Sequence, residues 1–388
     1  MANSDDLNRR NFLATTTTVA AAAAGAIAES AQAQEHAPAP QPPVVDPHAP
    51  LANYWQKQVF ELAHVDLAAA APELARDDIK ERHRIFSLLL MKLIRRFWNG
   101  NKSGPLGTYP RRAQQRDASA DRYRGDMLAS PDSFRVNWDR YLGHNIACLA
   151  VDGNGEIIDF DFNHNNVFRS TVEHAESRLI RRLFSLTNIS DSWNTGDRLP
   201  GKSRGFSLNS VTLYTSLESC AQCSGIMSLG QVKEVIYLQR DPTTYVVGNF
   251  MFNLAGKDSQ NRPLSPIPVP ASAIDLPVFD ELNTAYKAFF EDITDAKKAN
   301  DKSRAFYISP DETIVDYDPS ITSFLCSDRA LDIFSDGAQQ FDALTLKFPR
   351  ASEQAQPAKW TNQKCLQEAK RFYDYADIEG YRGSPHKL

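Results

Sequence analysis

The sequence predicts an α/β protein, a three-layer α/β/α sandwich around a mixed, mainly parallel sheet, with helical extensions before and after it. Three observations carry that expectation. Short apolar runs of strand length fall at 146–151, 211–215 and 234–238, bounded by polar or turn-forming residues. Segments with helical periodicity lie between them, at 171–186 and 220–229. Asp152-Gly153-Asn154-Gly155 is a hairpin turn that returns the first strand as a second one over 156–162. Strands alternating with helices imply right-handed crossovers, with helices covering both faces.

The 388 residues suffice for one large domain or two ordinary ones. Apolar residues make up 42% and charged residues 23%, as in a soluble globular protein, and the net charge is -5. That balance argues against wholesale electrostatic binding of nucleic acid, which needs many Lys and Arg on phosphates. One basic stretch stands out between Lys92 and Arg124, with Phe97, Trp98, Tyr109 and Tyr123 among its cations. Aromatic residues among cations suit single-stranded nucleic acid, although a solvated loop is the commoner use.

From the N-terminus, five segments are expected. Residues 1–33 read as a targeting segment: Arg9-Arg10 precede an alanine-rich apolar stretch, and Ala31-Gln32-Ala33 has the small-x-small form of a cleavage site. The paired arginines resemble a twin-arginine export signal, which implies an exported, periplasmic or secreted protein with no stable membrane insertion after cleavage. Residues 34–50 form a proline-rich linker. Residues 51–131 hold a helical region, clearest over 77–98 with Ile85, Leu88, Leu89, Ile94 and Phe97 on one face, followed by the basic loop. Residues 132–245 form the central α/β domain, interrupted by a polar loop at 187–209. Residues 246–388 form an extension, proline-rich over 262–278, with helices expected at 279–298, 320–335 and 361–376.

Five cysteines are too few for a disulfide framework in a chain of this length. Cys148 reads as a small buried hydrophobe, and Cys326 and Cys365 as two thiols rather than a pair. His83 is expected on a solvated, charged helix face, and His144 at a strand end or in the core. The remaining cysteines belong to a motif. His174-Ala175-Glu176 and Cys220-Ala221-Gln222-Cys223 each fall near the start of a predicted helix, where exposed N–H groups and the dipole favour thiolates. One imidazole and two thiolates leave a tetrahedral Zn2+ with one open position, the arrangement of catalytic rather than structural zinc, and such an ion brings the pKa of water to about 7. Glu176 sits beside these ligands without competing for the metal, which suits a proton shuttle. A purely stabilising zinc requires a fourth ligand, for which Glu173 and His164 are the neighbours to test.

These two motifs, and the text around them, resemble the cytidine deaminase-like superfamily, whose signature is His-x-Glu followed by Pro-Cys-x-x-Cys. Residues 146–158 look like its first hairpin, 213–227 like its strand, second motif and helix, and 232–237 like its next strand, so the resemblance covers about 140–245. It implies zinc-dependent hydrolytic deamination of a nucleobase, nucleoside or related amidine. His174, Cys220 and Cys223 would be metal ligands, Glu176 catalytic, and Asn163 a substrate contact together with the backbone N–H of Leu217 or Glu218. Ser219 departs from the pattern, standing where the family has proline. Serine is itself a good helix N-cap. The partner implied is a small base or nucleoside, with homo-oligomers common in the family. Two alternatives stand beside this reading: a deaminase of a polynucleotide or modified base using the basic stretch, and a non-catalytic, zinc-stabilised binding protein.

N-terminal sequencing of protein recovered outside the cytoplasm is expected to begin near Gln34. A sequence beginning at Met1 contradicts the export reading.

Overall fold

The chain divides into two units, Met1–Ala52 and Asn53–Leu388. The computed structural model describes residues 58–98, 144–165, 170–184, 207–259, 262–305, 307–308, 311–351 and 360–379, all within the second unit. The targeting segment, the proline-rich linker, most of the basic stretch and loop residues 187–206 lie outside the described residues.

The centre is a five-stranded sheet. In chain order the principal elements are α1 (Asp77–Arg96), β1 (Ala147–Val151), β2 (Ile157–Phe162), α2 (Ala175–Leu183), β3 (Thr212–Thr215), α3 (Ala221–Leu229), β4 (Glu234–Tyr237), α4 (Val247–Leu254), β5 (Ile267–Pro270), α5 (Val278–Ala299), α6 (Asp328–Asp342) and α7 (Asn362–Glu379). The strand order is β2-β1-β3-β4-β5. β1 pairs antiparallel with both β2 and β3, whereas β3–β4 and β4–β5 are parallel. The sheet is therefore mixed, half of its pairings being parallel.

The hairpin forms where the sequence places it. Asp152 Oδ1 accepts from the backbone N–H of Asn154, Gly155 and Glu156 at 2.9, 3.1 and 2.9 Å. Gly155 takes φ +103°, and a Cβ there would fall 2.4 Å from Cys365 Sγ, so glycine is required on two counts.

Period-two alternation sorts the strand side chains into two cores. Ala147, Leu149, Val151, Ile157, Phe160, Phe162, Tyr214, Ile236 and Val269 face one layer, which includes α1, α6 and α7. Cys148, Ala150, Ile158, Leu213 and Val235 face the other, which includes α2 and α3. This is the three-layer sandwich. Phe160 is fully buried, with Phe97, Phe162 and Phe372 rings 5.8, 5.9 and 5.5 Å away, a packing whose truncation to alanine costs about 3–5 kcal/mol.

Two features depart from expectation. The proline-rich stretch at 262–278 contains β5, which completes the sheet beyond residue 245. Ile267 donates its N–H to Lys233 O at 3.2 Å, and Pro268 and Pro270 alternate with it on an edge strand, where a missing donor is tolerated. His83 is buried rather than solvated, its Nδ1 2.9 Å from the Tyr214 hydroxyl.

Polar side chains of α1 secure the C-terminal segment over the sheet. Glu81 accepts from the N–H of Lys347 and Phe348 at 2.6 and 3.0 Å, and Arg82 reaches Asn362 Oδ1 and Trp360 O. Lys92 and Arg96 of the basic stretch are paired with Asp342 and Asp377. None of the five cysteines forms a disulfide. Among the described residues, no helix is long and apolar enough to cross a membrane.

Glu234 adds a buried charge to the β3–β4 pairing. Its Oε1 accepts from Thr212 Oγ1 at 2.6 Å and Lys233 Nζ at 3.1 Å. Burial opposes its ionisation, but Lys233, His83 and the Thr212 bond outweigh burial and hold the carboxyl at about 2, below its usual 4.5. A depressed carboxyl stabilises the fold above its unfolded pKa and ceases to do so as pH falls through the folded value. The wild type is therefore expected to lose on the order of 2 kcal/mol through Glu234 between about pH 4.5 and 2. Glu234→Gln should be less stable at pH 7 and lack that part of the acid dependence. Urea titrations across the range check this, and identical pH slopes contradict it.

Candidate metal centre and adjoining cavity

Two helix starts meet at one end of the sheet. His174 is the N-cap of α2 and Cys220 the N-cap of α3, each with extended backbone, so the chain turns from loop into helix at a ligand candidate. Cys223 lies one turn into α3 and is buried. His174 Nδ1 is 3.4 Å from Cys220 Sγ and 3.6 Å from Cys223 Sγ, and the three donor atoms lie within 4.8 Å of one another. Zinc bond lengths of about 2.0–2.1 Å to nitrogen and 2.3 Å to sulfur put tetrahedral N and S neighbours about 3.5 Å apart. The donor set and its spacing thus fit zinc.

No fourth His, Cys, Asp or Glu joins this group among the described residues. The two neighbours a structural zinc would need, Glu173 and His164, both lie outside this group. Glu173 pairs with Arg178 at 2.6 Å and Arg181 at 3.0 Å. His164 is buried with Nδ1 2.7 Å from Phe162 O, and burial pushes its pKa down.

α2 is fixed to β2 by ion pairs that periodicity does not reveal. Arg182 bridges Asp159 and Asp161, each at 2.7 Å, and Arg178 reaches Asp161 at 3.2 Å. Asp161 is fully buried, a position a carboxylate holds only when paired. These contacts set the angle at which α2 presents His174 and Glu176.

The thiols differ. Hydrogen bonding from Cys223 and then from His174 lowers Cys220 to about 4. Cys223 is pushed well above its usual value by its bond with Cys220 and by burial.

Glu176 is buried beside the sulfurs. Its Oε1 accepts from Ser219 Oγ at 3.2 Å and Thr215 Oγ1 at 3.4 Å, and its Oε2 lies 3.4 Å from Cys223 Sγ. Burial pushes its pKa up. Ser219 makes this bond instead of capping α3, so the residue standing in place of proline touches the candidate proton shuttle.

A cavity of about 290 Å³ opens beside the sulfurs, lined by His174, Cys220, Glu176, Asn163, Leu217 and Glu218 among others. Every residue singled out from the sequence as a ligand, acid–base group or substrate contact therefore borders one space or, for Cys223, adjoins it. Asn163 Oδ1 accepts from Ala175 N at 2.8 Å, which ties β2 to the start of α2. One expected contact is corrected: the backbone N–H of Glu218 donates to Gln239 O at 2.8 Å and is committed to the sheet end. Glu218 nonetheless borders the cavity, with its Oε2 accepting from Asp241 N–H at 3.1 Å. The wall also includes His144, Asn165, Thr171, Asp241 and Thr322, which sequence reasoning did not assign to the site. Asp241 had a signal, since it closely follows the C-terminal end of parallel strand β4, where α/β sheets bind ligands.

Residues 134–239 match the family model described as the cytidine and deoxycytidylate deaminase zinc-binding region. The central region is thus similar to a deaminase zinc-binding region. The match spans both deaminase motifs. No curated protein matches the chain. Solved structures similar over part of it include two deaminases. One comes from work on A-to-I editing by tRNA:A34 deaminases, at 22% identity, covering 32% of this chain and 82% of that one, with a TM-score of 0.22. The other is a guanine deaminase from Nitrosomonas europaea, at 17% identity, covering 39% and 78%, with a TM-score of 0.24. TM-scores of this size carry no inference about substrate.

Elemental analysis of the purified chain is expected to find one zinc per chain, and Cys223→Ala to reduce it at least tenfold. Full zinc retention in Cys223→Ala contradicts the ligand set.

Proposed function

We propose that the chain is a zinc-dependent hydrolase that deaminates a nucleobase, nucleoside or related cyclic amidine. The observation that carries this reading is the buried Glu176 carboxyl, which borders the same cavity as His174 and Cys220. A carboxyl so placed has no structural duty toward a stabilising metal, and it accepts from Ser219 and Thr215, which fix its rotamer.

His174, Cys220 and Cys223 would hold the zinc, which would supply the Lewis acidity that makes water a nucleophile near neutral pH. Glu176 takes one proton from the attacking water and passes it to the ring nitrogen, then carries the second, from the newly added hydroxyl, to the departing amine as the carbonyl forms. Water adds to the amidine carbon, the exocyclic C–N bond breaks, and ammonia leaves. A raised pKa suits a group that must both accept and donate near neutrality. Asn163 has its oxygen occupied by Ala175 N–H, which leaves the amide nitrogen as the donor for substrate. Leu217 contributes an apolar surface for a ring. The cavity volume, near the lower end of the range for small-molecule sites, suits a single base.

Ammonia release from a panel of bases and nucleosides tests the reading. The wild type should release ammonia, and Glu176→Ala should lower kcat by at least about 10²–10⁴-fold while retaining zinc. Equal rates in the two proteins, or no release by the zinc-loaded wild type from any member, contradict it.

A further inference from the structure

One residue of the cavity wall comes from far outside the region that holds the metal ligands. Thr322 lines the same space as His174, Glu176 and Cys220, yet it lies in the C-terminal part of the chain, on the short helical turn Ile321–Phe324. The matched deaminase region ends at residue 239 and does not supply it.

The turn is firmly placed. Ile321, Phe324 and Leu325 have the spacing of one helix face, and all three are buried. The Phe324 ring packs 5.7 and 5.8 Å from Tyr286 and Phe289 of α5. Asn145 Nδ2 donates to Leu325 O at 3.1 Å, which ties the turn to the chain just before β1, where Ile146 also borders the cavity. Ser320 caps the turn, its Oγ accepting from Ser323 N–H at 3.2 Å. Thr322 is half-buried and off the core-facing side, its Oγ1 3.1 Å from Ser320 Oγ.

The metal ligands and this turn belong to opposite layers. Cys223 is part of the core between the sheet and α2 and α3, with Cys220 packed against it, whereas Ile321 and Phe324 join the core on the other face. The cavity is bordered from both layers. A flat ring that presents its amidine carbon to the His174 and Cys220 side therefore turns its opposite edge toward Thr322.

We infer that Thr322 is a specificity-determining residue, its side chain meeting the ring edge opposite the exocyclic amine and limiting what that edge carries. The inference rests on the deaminase reading and deepens it, because it assigns to the C-terminal extension a part in substrate choice. A side chain in such contact discriminates one methyl group by about 10–200-fold.

The experiment uses the zinc-loaded full chain with Thr322→Ala and Thr322→Leu. The substrates are pairs differing by one methyl group on the edge away from the amine: cytosine with 1-methylcytosine, and adenine with 2-methyladenine. Thr322→Ala should raise the ratio of kcat/KM for the methylated compound to that for its parent by at least about tenfold, mostly through KM, and Thr322→Leu should lower it. A merely structural Thr322 would change both members of a pair together. A ratio unchanged in both variants overturns the inference and leaves the deaminase reading intact. Should Thr322→Leu not fold, Thr322→Ala decides by the same ratio.

Thr322→Cys gives a readout without catalysis. Cys148, Cys223, Cys326 and Cys365 are buried and Cys220 is a candidate ligand, so a maleimide should mark the introduced thiol above the wild-type background, as mapped by mass spectrometry. Excess cytosine or adenine should slow that labelling several-fold. A thiol that does not label, or one that neither base protects, overturns the inference. Protection by a base, with no ammonia released from any compound by the wild type, overturns the deaminase reading and leaves Thr322 as a ligand contact.

Discussion

The structure depends on two helix N-termini arriving together at one end of the sheet. His174 caps α2 and Cys220 caps α3, so the donor atoms converge only if both helices leave the same face at compatible angles. The pairing of β1 with β3 places them side by side, and Arg178 and Arg182 hold α2 down on the buried carboxylate of Asp161. A helix start is also an electrostatic environment. Its unpaired N–H groups favour negative charge, which is what two sulfurs must accumulate before they share a cation.

The layer on the opposite face carries the sheet away from the candidate ligands. α1, α6 and α7 pack on the sides of β1, β2 and β3 that point away from α2 and α3. Glu81 and Arg82 on α1 satisfy backbone groups and Asn362 in the C-terminal segment. The C-terminal region is therefore part of the same folding unit as the sheet, and its short helical turn Ile321–Phe324 also lends Thr322 to the cavity. Described residues beyond the matched 134–239 region support the sheet and finish the pocket wall.

Much of the central region was legible because its signals are local. Short apolar runs marked β1, β3 and β4, the hairpin turn marked β2, helical periodicity marked α2 and α3, and the two motifs sat at helix starts. What sequence could not supply was tertiary. Pro268 and Pro270 gave no strand signal because proline breaks most strands, and only the edge position of β5 makes them admissible. His83 sat among charges along the helix, yet the helix is covered on several sides, so local polarity misjudged its burial. Ser219 looked like a helix cap because serine usually is one, but the cap is Cys220 and the hydroxyl turns to Glu176. The Glu218 amide was available by sequence and taken by Gln239 in the fold. In each case a distant partner decided, and no spacing rule names such partners.

The central claim is that one imidazole and two sulfurs hold a zinc ion whose remaining position belongs to no protein atom. X-ray absorption at the zinc edge of the purified chain measures this directly. The account predicts two sulfur scatterers at about 2.3 Å and two lighter ones at about 2.0–2.1 Å, one of them exchangeable with added small anions. Three or four sulfur scatterers, or a fourth ligand that no added anion displaces, would contradict it.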